Sequence, residues 1–513
     1  MIDKGYPLPY DSAVFGGGDV IRVQRWPTWH EAIQVALWGA ALLVLAMGLA
    51  LAPLRWSAAL FIGTGVALAV LVYPWLGLLL IAVAIPFGPL MPLPIAQAAA
   101  DANELLLLLV MGAWLARGVA RRAIVIPHAP LLWPGLLLMG AFLATLPGAW
   151  SLKEALVEVV KWAEGVLLYV IVVAVLPPRR VPWLVGALIL AGVAQAALGL
   201  YQFARAIGPS QFLILGRFVR AYGTFRQPNP FGGYLGLVAP VAISLAWWGL
   251  ARVWRRRDVN GPGWWRSVAG MLAWAAAAGV IVLGIGASWS RGAWLGFAAA
   301  MTAVILARGW RSAGGVALAG VIGVALLLVI GYTGGWMVAA VQARMGGFIE
   351  YARFTDPRTL EVTDANFPIV QRLAQWWAAW SMFSDYPWLG VGIGNYAAAY
   401  PAYALPRWYE PLGHAHNYYL NMAAEAGLMG LTAYLVAGAV VFIWVVRRIR
   451  DWRAWPQALA IGVLGVLTHL SVHNLFDNLY VQHMILHLAL LLGALTVLNA
   501  YLDDEANANH DAT

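Results

Sequence analysis

The chain has 513 residues, of which 62% are hydrophobic and only 11% are charged, and its net charge is +9. This composition excludes a water-soluble fold and predicts helices that cross a lipid bilayer, because helices satisfy their own backbone groups in lipid. In a membrane protein the position of basic residues matters more than their sum, so we expect no nucleic-acid partner. The absence of cysteine excludes disulfides and thiolate metal sites.

Residues 1–32 are polar and are predicted to form a cytoplasmic segment without a cleavable signal. They are followed by apolar runs that each approach the ~20 residues needed to cross a bilayer. We expect 12–14 spans, and the runs are 33–53, 57–73, 74–94, 103–118, 130–149, 161–177, 181–205, 231–251, 267–288, 292–309, 314–334, 426–446, 457–475 and 481–501.

The spans define the domain organisation that we expect. Residues 33–333 would hold eleven spans, 334–425 a long loop outside the cytoplasm, and 426–501 the last three spans. Residues 502–513 would be a disordered cytoplasmic tail. An N-terminus in the cytoplasm puts most of the 32 Lys and Arg residues in cytoplasmic loops, as the positive-inside rule requires. Both termini are therefore predicted to be cytoplasmic.

Some arginines fall on the opposite side, where basic residues are normally avoided. Loop 205–230 carries Arg205, Arg217, Arg220 and Arg226, and loop 288–292 carries Arg291. The long loop carries Arg372, within an amphipathic segment predicted as a helix over Gln371–Phe383. These charges indicate an anionic ligand, although long loops are exempt from the positive-inside rule. The argument is strongest for Arg220 and Arg291, which lie close to apolar spans.

The stretch Gly413–Gly430 is rich in polar side chains and runs directly into an apolar span. A helix that begins near Asn417 would put Asn417, Asn421 and Glu425 on one face. His416 would then lie at the helix N-terminus, where the dipole disfavours imidazolium and suits a neutral general base. The alternative is a polar helix cap at the headgroup level. His414 and His416 could also bind a metal, but no third ligand is evident.

Two further polar groups have less specific interpretations. Glu154, Glu158 and Lys161 share one helical face, which is typical of an interfacial helix, although Lys161 could reach a phosphate. Several polar side chains flank the last pair of spans, and we interpret them as interfacial or packing residues in preference to pocket residues. They are His469, His473, His483, His487, Asn474, Asp477 and Asn478.

Four motifs lie on the same predicted side of the membrane: Arg220–Phe231, Ser288–Trp294, Trp388–Asn395 and Gly413–Gly430. In this order they resemble the O-antigen ligase and polymerase superfamily of bacterial envelope glycosyltransferases, over residues 200–440. The ligase signature is His, then Asn, Ser or Gln, nine residues, Gly, two residues, and Gly, Thr or Tyr. His416, Asn417, Gly427 and Gly430 fit it in full.

The resemblance implies a GT-C-like helical fold and a glycan donor carried on undecaprenyl diphosphate. It also implies transfer to a lipid or glycan acceptor on the outer face of the cytoplasmic membrane, without a metal or other cofactor. We expect His416 to be the base, and Arg220 and Arg291 to stabilise the leaving diphosphate. The expected substrate-binding residues are Arg217, Arg226, His414, Asn417, Glu425, Lys161 and Arg372.

Two other functions remain open. A polymerase of the same superfamily would use the same chemistry with a glycan as acceptor. A transporter of lipid-linked glycan or of a small anion belongs to another class, and it typically has polar residues near the middle of the membrane and inverted repeats. The polar motifs here gather at one face, which favours glycosyl transfer.

Overall fold

The computed structural model describes residues 12–13, 21–22, 47, 53–90, 93–95, 98–123, 128–214, 216, 218–255, 262–309, 356–363 and 366–511. The chain divides into two compact units, Met1–Ala69 and Val70–Thr513. The second contains every element described below except the first two strands and most of the first helix. Strands are few and short in these residues. They form antiparallel pairs: β1 (Ser12–Ala13) with β2 (Ile21–Arg22), β3 (Leu93–Ile95) with β4 (Ala98–Ala100), and β5 (Leu213–Ile214) with β6 (Phe218–Val219).

α-Helices make up most of the described chain. They are α1 (Leu54–Val72), α2 (Pro74–Ala84), α3 (Ala102–Ala120), α4 (Leu132–Ala144), α5 (Leu152–Val175), α6 (Val181–Ala204), α7 (Pro228–Arg255), α8 (Pro262–Ala287), α9 (Arg291–Arg308), α10 (Phe367–Asp385), α11 (Tyr396–Tyr403), α12 (Tyr418–Asp451), α13 (Ala454–His473) and α14 (Met484–Asp511).

The predicted spans coincide with these helices. Within the described residues, seven helices are long and apolar enough to cross a membrane, and three shorter apolar helices accompany them. Each predicted run between residues 57 and 309, and each of the last three, overlaps a helix. The runs 33–53 and 314–334 lie outside the described residues. The prediction of an all-α polytopic membrane protein is therefore confirmed.

Helix α13 packs against both α7 and α9, and glycines make the close approach possible. A Cβ on Gly236 of α7 would overlap the ring of His469 on α13, and one on Gly462 of α13 would lie 2.7 Å from Cα of Val241 on α7. Small residues allow helices to approach closely in lipid, where hydrophobic burial between helices gives little. This packing fixes the C-terminal end of α13 beside the N-terminal ends of α7 and α9.

Helix α12 begins at Tyr418, in agreement with the helix considered from near Asn417, and a kink divides it into two helical segments near the start of the predicted apolar span. Gly427 has φ 62° and ψ −163°, a conformation that L side chains rarely adopt. The polypeptide around Pro387–Val391 satisfies backbone groups near the kink. Leu428 N–H donates to the Pro387 carbonyl at 2.7 Å, and Val391 N–H donates to the Ala424 carbonyl at 2.9 Å. Gly427 of the ligase signature therefore allows the backbone conformation that forms the kink in α12.

The C-terminal tail differs from its prediction. It was expected to be disordered from residue 502, but α14 continues to Asp511. Side-chain pairs four residues apart, which stabilise a helix surface, continue the helix past the apolar run. Asn499 Nδ2 donates to Asp503 Oδ2 at 2.8 Å, and the Tyr501 hydroxyl donates to Glu505.

Candidate active site

Asp477, in the loop between α13 and α14, lies at the centre of a polar cluster that joins distant parts of the sequence. Its Oδ1 lies 3.2 Å from His416 Nδ1 and 3.6 Å from His414 Nε2. Its Oδ2 accepts a hydrogen bond from Asn229 Nδ2 at 2.9 Å. The Asp477 residue is only 5% exposed. A buried carboxylate is costly unless it is paired, so these contacts account for its presence.

Arg220 is linked to this cluster through Asn229. Its Nη2 donates to Asn229 Oδ1 at 2.8 Å, and its Nε donates to the Ser288 carbonyl at 2.9 Å. The contacts Arg220–Asn229–Asp477–His416 thus form a continuous chain. Arg220 and His416 were both predicted as catalytic residues, and the structure brings them to one site.

The loop that carries Arg220 is held by two buried glutamines of α6. Gln202 Oε1 accepts from Gly223 N–H at 2.7 Å, and Gln202 Nε2 donates to the Gly223 carbonyl at 2.9 Å. Gln195 Oε1 accepts from Thr224 N–H at 3.2 Å. Side-chain hydrogen bonds of this kind fix a loop that has little secondary structure of its own. The Arg220 guanidinium is therefore presented from a rigid support.

Arg291 is the first residue of α9 and follows Ser290, whose hydroxyl caps the helix by accepting from Ala293 N–H. The next residue, Gly292, packs against α13: a Cβ on it would lie 3.1 Å from His473 Cδ2 and 3.5 Å from Phe476 Cβ. Phe476 directly precedes Asp477. Arg291 therefore extends from a helix end that contacts the Asp477 loop.

Three helix N-termini meet around this loop. Asn229 is in the first turn of α7, Arg291 begins α9, and Asn417 caps α12 by accepting from Tyr419 N–H and Leu420 N–H. Each helix N-terminus carries a partial positive charge and backbone N–H groups that favour anions. Together with the guanidinium groups of Arg220 and Arg291, these termini make the site suited to a negatively charged group.

His416 has the left-handed backbone conformation, with φ 52°, which is uncommon for a residue other than glycine and clusters at functional sites. Asp477 accepts a hydrogen from Nδ1, and this arrangement leaves the Nε2 lone pair as the basic position of the ring. Burial opposes ionisation of Asp477, but the hydrogen bond to His416 and the electrostatic interactions with the two neighbouring histidines and Arg372 outweigh it, so the pKa of Asp477 is well below its ordinary value.

His414 is held in its neutral form. Burial is the largest cause, and the neighbouring His416 adds to it, so that the pKa of His414 falls to about 3 although Asp477 opposes the shift. Arg372 and Lys161 also lower this pKa through their positive charges. His414 Nδ1 accepts from His416 N–H at 3.0 Å. His414 therefore helps to fix the conformation of the His416 backbone.

Other predicted site residues have structural contacts. Lys161 forms an ion pair with Glu158 at 2.6 Å and donates to the Tyr480 carbonyl at 3.0 Å. Asn417 caps α12, and Glu425 Oε1 accepts from Tyr396 N–H at 2.9 Å. Arg226 is exposed on the loop before α7. Arg217 lies outside the described residues.

The three central side chains could also hold a metal ion. His414, His416 and Asp477 each offer one ligand atom, and these atoms lie within 4.8 Å of one another. The sequence analysis found no third ligand for the two histidines, and that conclusion was wrong because Asp477 supplies one from 61 residues further along the chain. Two histidines and a carboxylate form a donor set that fits a zinc ion with an open position.

Sequence reasoning missed the roles of Asp477 and Asn229. Asp477 was grouped with interfacial or packing residues, and Asn229 appeared only within a turn motif. A signal for Asp477 was present, since a lone carboxylate between two apolar spans is costly and therefore a candidate functional residue. Asn229 has no comparable signal, because its importance arises only from its position between Arg220 and Asp477.

Comparison with known families finds a match to part of the chain. Residues 276–435 match the family described as O-antigen ligase. The matched range runs from α8 into α12 and includes Arg291, His416 and Gly427. No curated protein matches the chain.

The apolar helices thus indicate a multi-pass membrane protein, part of which is similar to the O-antigen ligase family. The resemblance to the O-antigen ligase and polymerase superfamily is confirmed by this match over residues 276–435.

Proposed function

We propose that the chain transfers a glycan from undecaprenyl diphosphate to an acceptor hydroxyl on the outer face of the cytoplasmic membrane. The observation that carries this proposal is the continuous set of contacts from Arg220 through Asn229 and Asp477 to His416. These contacts connect the guanidinium of Arg220, which is suited to bind a diphosphate, to the imidazole of His416, which is suited to accept a proton from a hydroxyl group.

The donor's diphosphate binds beside Arg220 and Arg291. Guanidinium groups stay charged and match phosphate oxygens with two parallel hydrogen bonds. The N-termini of α7 and α9 add backbone N–H groups and partial positive charge at the same place. Charge that develops on the leaving diphosphate is therefore stabilised by groups that are already oriented before the reaction.

His416 acts on the acceptor. Its Nε2 takes the proton from the acceptor hydroxyl as that oxygen attacks the anomeric carbon. The bond from this carbon to the diphosphate oxygen breaks, and undecaprenyl diphosphate leaves with the bonding electrons. Attack opposite the leaving group inverts the anomeric carbon. Asp477 stabilises the imidazolium that forms and keeps the ring oriented.

The location of the polar cluster argues against a transporter. Its side chains lie at the ends of α7, α9, α12 and α13 and in the loops between helices, within the described residues. A carrier typically has its binding groups near the middle of the membrane, on interrupted helices. A cluster at the helix ends instead suits a headgroup reaction at the membrane surface.

The test is glycan transfer by purified protein in lipid, with defined undecaprenyl-diphosphate-linked repeats as donor. His416→Ala and Arg291→Ala are each expected to lower the transfer rate by about 10²–10⁴-fold, the range for a placed base or an electrostatic donor. The transfer rate of Arg291→Lys should also be lower by about tenfold or more, because an ammonium group cannot form two parallel hydrogen bonds to a phosphate.

Arg205→Ala is the matched control, because Arg205 is exposed and lies at the end of α6. It should transfer glycan like the parent protein. Full activity of either alanine variant at equal membrane levels would remove that residue from the mechanism. Polymer ladders formed from the repeats alone would identify a polymerase, and loss of transfer on chelation would assign a metal to His414, His416 and Asp477.

A further inference from the structure

A second polar cluster lies at the end of the loop that carries Asp477, and the proposed mechanism does not use it. His483 directly precedes α14, and its Nε2 lies 2.8 Å from Oδ2 of Asp101, the N-cap residue of α3. The two side chains are largely buried, with exposed fractions of 19% and 16%. An ion pair shielded from solvent is screened less than an exposed one, so it can hold two helix ends together.

The backbone at this ion pair has an uncommon conformation. Gln482 has φ 48° and His483 has φ 60°, so two consecutive residues other than glycine are left-handed. Such conformations cost free energy and persist only where the surrounding structure enforces them. Gln482 Nε2 donates to the Phe225 carbonyl at 3.1 Å, and His483 is paired with Asp101. The chain therefore enters α14 in a conformation that these two contacts maintain.

The same turn ends the loop that carries Asp477. His483 is six residues after Asp477. The other end of the loop is tied to α13, since Leu479 N–H donates to Oδ1 of Asn474, the C-cap residue of that helix, at 3.0 Å. A short loop that is held at both ends has little freedom to move. The position of Asp477, whose Oδ1 lies 3.2 Å from His416 Nδ1, therefore depends on where His483 is held.

Asp101 also contacts the support of the loop that carries Arg220. Its Oδ2 lies against the 3₁₀ turn Ile85–Leu90, where a Cβ on Gly88 would be only 2.5 Å away. The Pro86 carbonyl in this turn accepts hydrogen bonds from two side chains that fix the Arg220 loop, those of Thr224 and Gln195. The ion pair thus joins the support of the Asp477 loop to that of the Arg220 loop.

Most charged groups around the pair are acidic. Those that act most strongly on His483 are Asp101 and Glu104 of α3 and Glu164 of α5, and the neighbouring loop contributes Arg226, which is exposed. Burial opposes protonation of His483, but the hydrogen bond and charge of Asp101, with the charges of Glu164 and Glu104, outweigh it and raise its pKa. The ion pair is therefore complete below the ordinary histidine pKa of about 6.5, and it is lost as the pH rises through the raised value.

We propose that the ion pair between His483 and Asp101 is a clamp that holds Asp477 in the position from which it orients His416. His483 and Asp101 are then positioning residues of the transfer reaction, and this assignment rests on the proposed function. The alternative is that Asp101 acts only as the cap of α3, through the hydrogen bonds that it accepts from backbone N–H groups in the first turn.

Hydrogen–deuterium exchange of the full-length protein in lipid nanodiscs tests the clamp without depending on activity. Asp101→Asn keeps a good N-cap and removes the charge that holds His483. Amides of residues 475–483 should then exchange about fivefold faster or more. Glu104→Gln is the matched control, because it removes a carboxylate from the same helix turn, retains the capping box and leaves the ion pair in place. It should exchange like the parent protein.

Transfer kinetics test the effect of the clamp on the reaction. Asp101→Asn and His483→Gln should each lower kcat by about tenfold and leave the KM for both substrates within about twofold, since small displacements of catalytic groups are costly. The kcat of the parent protein should fall as the pH rises through the raised pKa of His483, and both variants should lack this fall. His483→Arg supplies a cation that stays charged, so it should restore most of the kcat lost in His483→Gln and also lack the alkaline fall.

Three results would contradict the proposal or separate it from the proposed function. Unchanged exchange of residues 475–483 in Asp101→Asn would reduce Asp101 to a helix cap and overturn the clamp. Faster exchange with an unchanged kcat would overturn the role of the clamp in the reaction. A parent protein that transfers no glycan, in which Asp101→Asn still speeds exchange of the loop, would contradict the proposed function and leave the clamp standing.

Discussion

At the scale of single residues, the site depends on a carboxylate that touches neither substrate in the proposed mechanism. Asp477 uses one oxygen to orient His416 and the other to hold Asn229, which in turn binds Arg220. The Asp477 side chain therefore couples the orientation of the base, His416, to the orientation of Arg220, which is proposed to bind the diphosphate. Asp477 is a positioning residue, and its contribution is expected to appear in the chemical step.

We predict that Asp477→Asn lowers kcat by about 10²-fold or more and leaves the KM for both substrates within about twofold, because the amide preserves the shape but not the charge that stabilises imidazolium. Steady-state kinetics of the purified protein measure both constants. If the substitution only impaired folding, the fraction of active protein would fall and kcat per active molecule would not change. Active-site titration of the preparation measures that fraction.

Asp385→Asn is the control for this prediction, since Asp385 is an exposed carboxylate at the end of α10. It should behave like the parent protein. An Asp477→Asn variant with unchanged kcat would show that the orientation of His416 does not depend on this carboxylate.

At the scale of elements, the turn at Pro387–Val391 and helix α12 stabilise each other through backbone contacts. Gly390 has φ 67° and Gly427 has φ 62°, and a Cβ on either would collide with the backbone of the other element. The N–H groups of Leu428 and Val391 are satisfied across this contact. The kink in α12 is therefore maintained by the turn that packs against it, and it directs the first helical segment, with its N-terminus at Asn417, to the site.

Gly427→Ala should destabilise the protein by at least about 1–3 kcal/mol, because alanine is strained at positive φ and its Cβ would strike the Trp388 backbone. Thermal unfolding of the detergent-solubilised protein measures this change as a lower Tm. Gly438→Ala on the same helix has open space around its Cβ, so it should leave Tm unchanged or raise it slightly. Equal Tm values for the two variants would contradict the role of the kink.

The element scale also shows where sequence reasoning ends. Hydropathy predicted the spans because each is a local property of about twenty consecutive residues. Hydropathy put the start of the apolar span at residue 426, whereas the pattern of polar residues indicated a helix from near Asn417, and α12 begins at Tyr418. It ended the last helix near 501 because the continuation to Asp511 relies on polar side-chain pairs that hydropathy does not register.

At the scale of the whole molecule, the candidate site was partly predictable. The positive-inside rule singled out Arg220 and Arg291, and the ligase signature singled out His416. The contact of His416 with Asp477 joins residues 61 positions apart, and that of Asn229 with Asp477 joins residues 248 apart. Such contacts depend on how α7, α12 and α13 pack, which no local periodicity specifies.

The predicted orientation can be tested directly because the chain has no cysteine. A cysteine introduced at Ser210, which is exposed after α6, should react with a membrane-impermeant maleimide on spheroplasts of the producing cells. One introduced at Pro177, which is exposed before α6, should react only after permeabilisation. Gel-shift measurement of the labelled fraction distinguishes the two positions, and the reverse pattern would place the proposed active site in the cytoplasm.

The mutual hold of Gly390 and Gly427 has a consequence for how bulky lipids reach the reacting groups. A turn whose peptide groups complete those of a spanning helix cannot swing away without exposing unpaired polar backbone near the membrane. The turn is therefore unsuited to act as a hinged cover. Both lipid substrates would instead enter laterally from the surrounding leaflet, between neighbouring helices. Membrane fluidity and lipid packing would therefore influence the turnover rate.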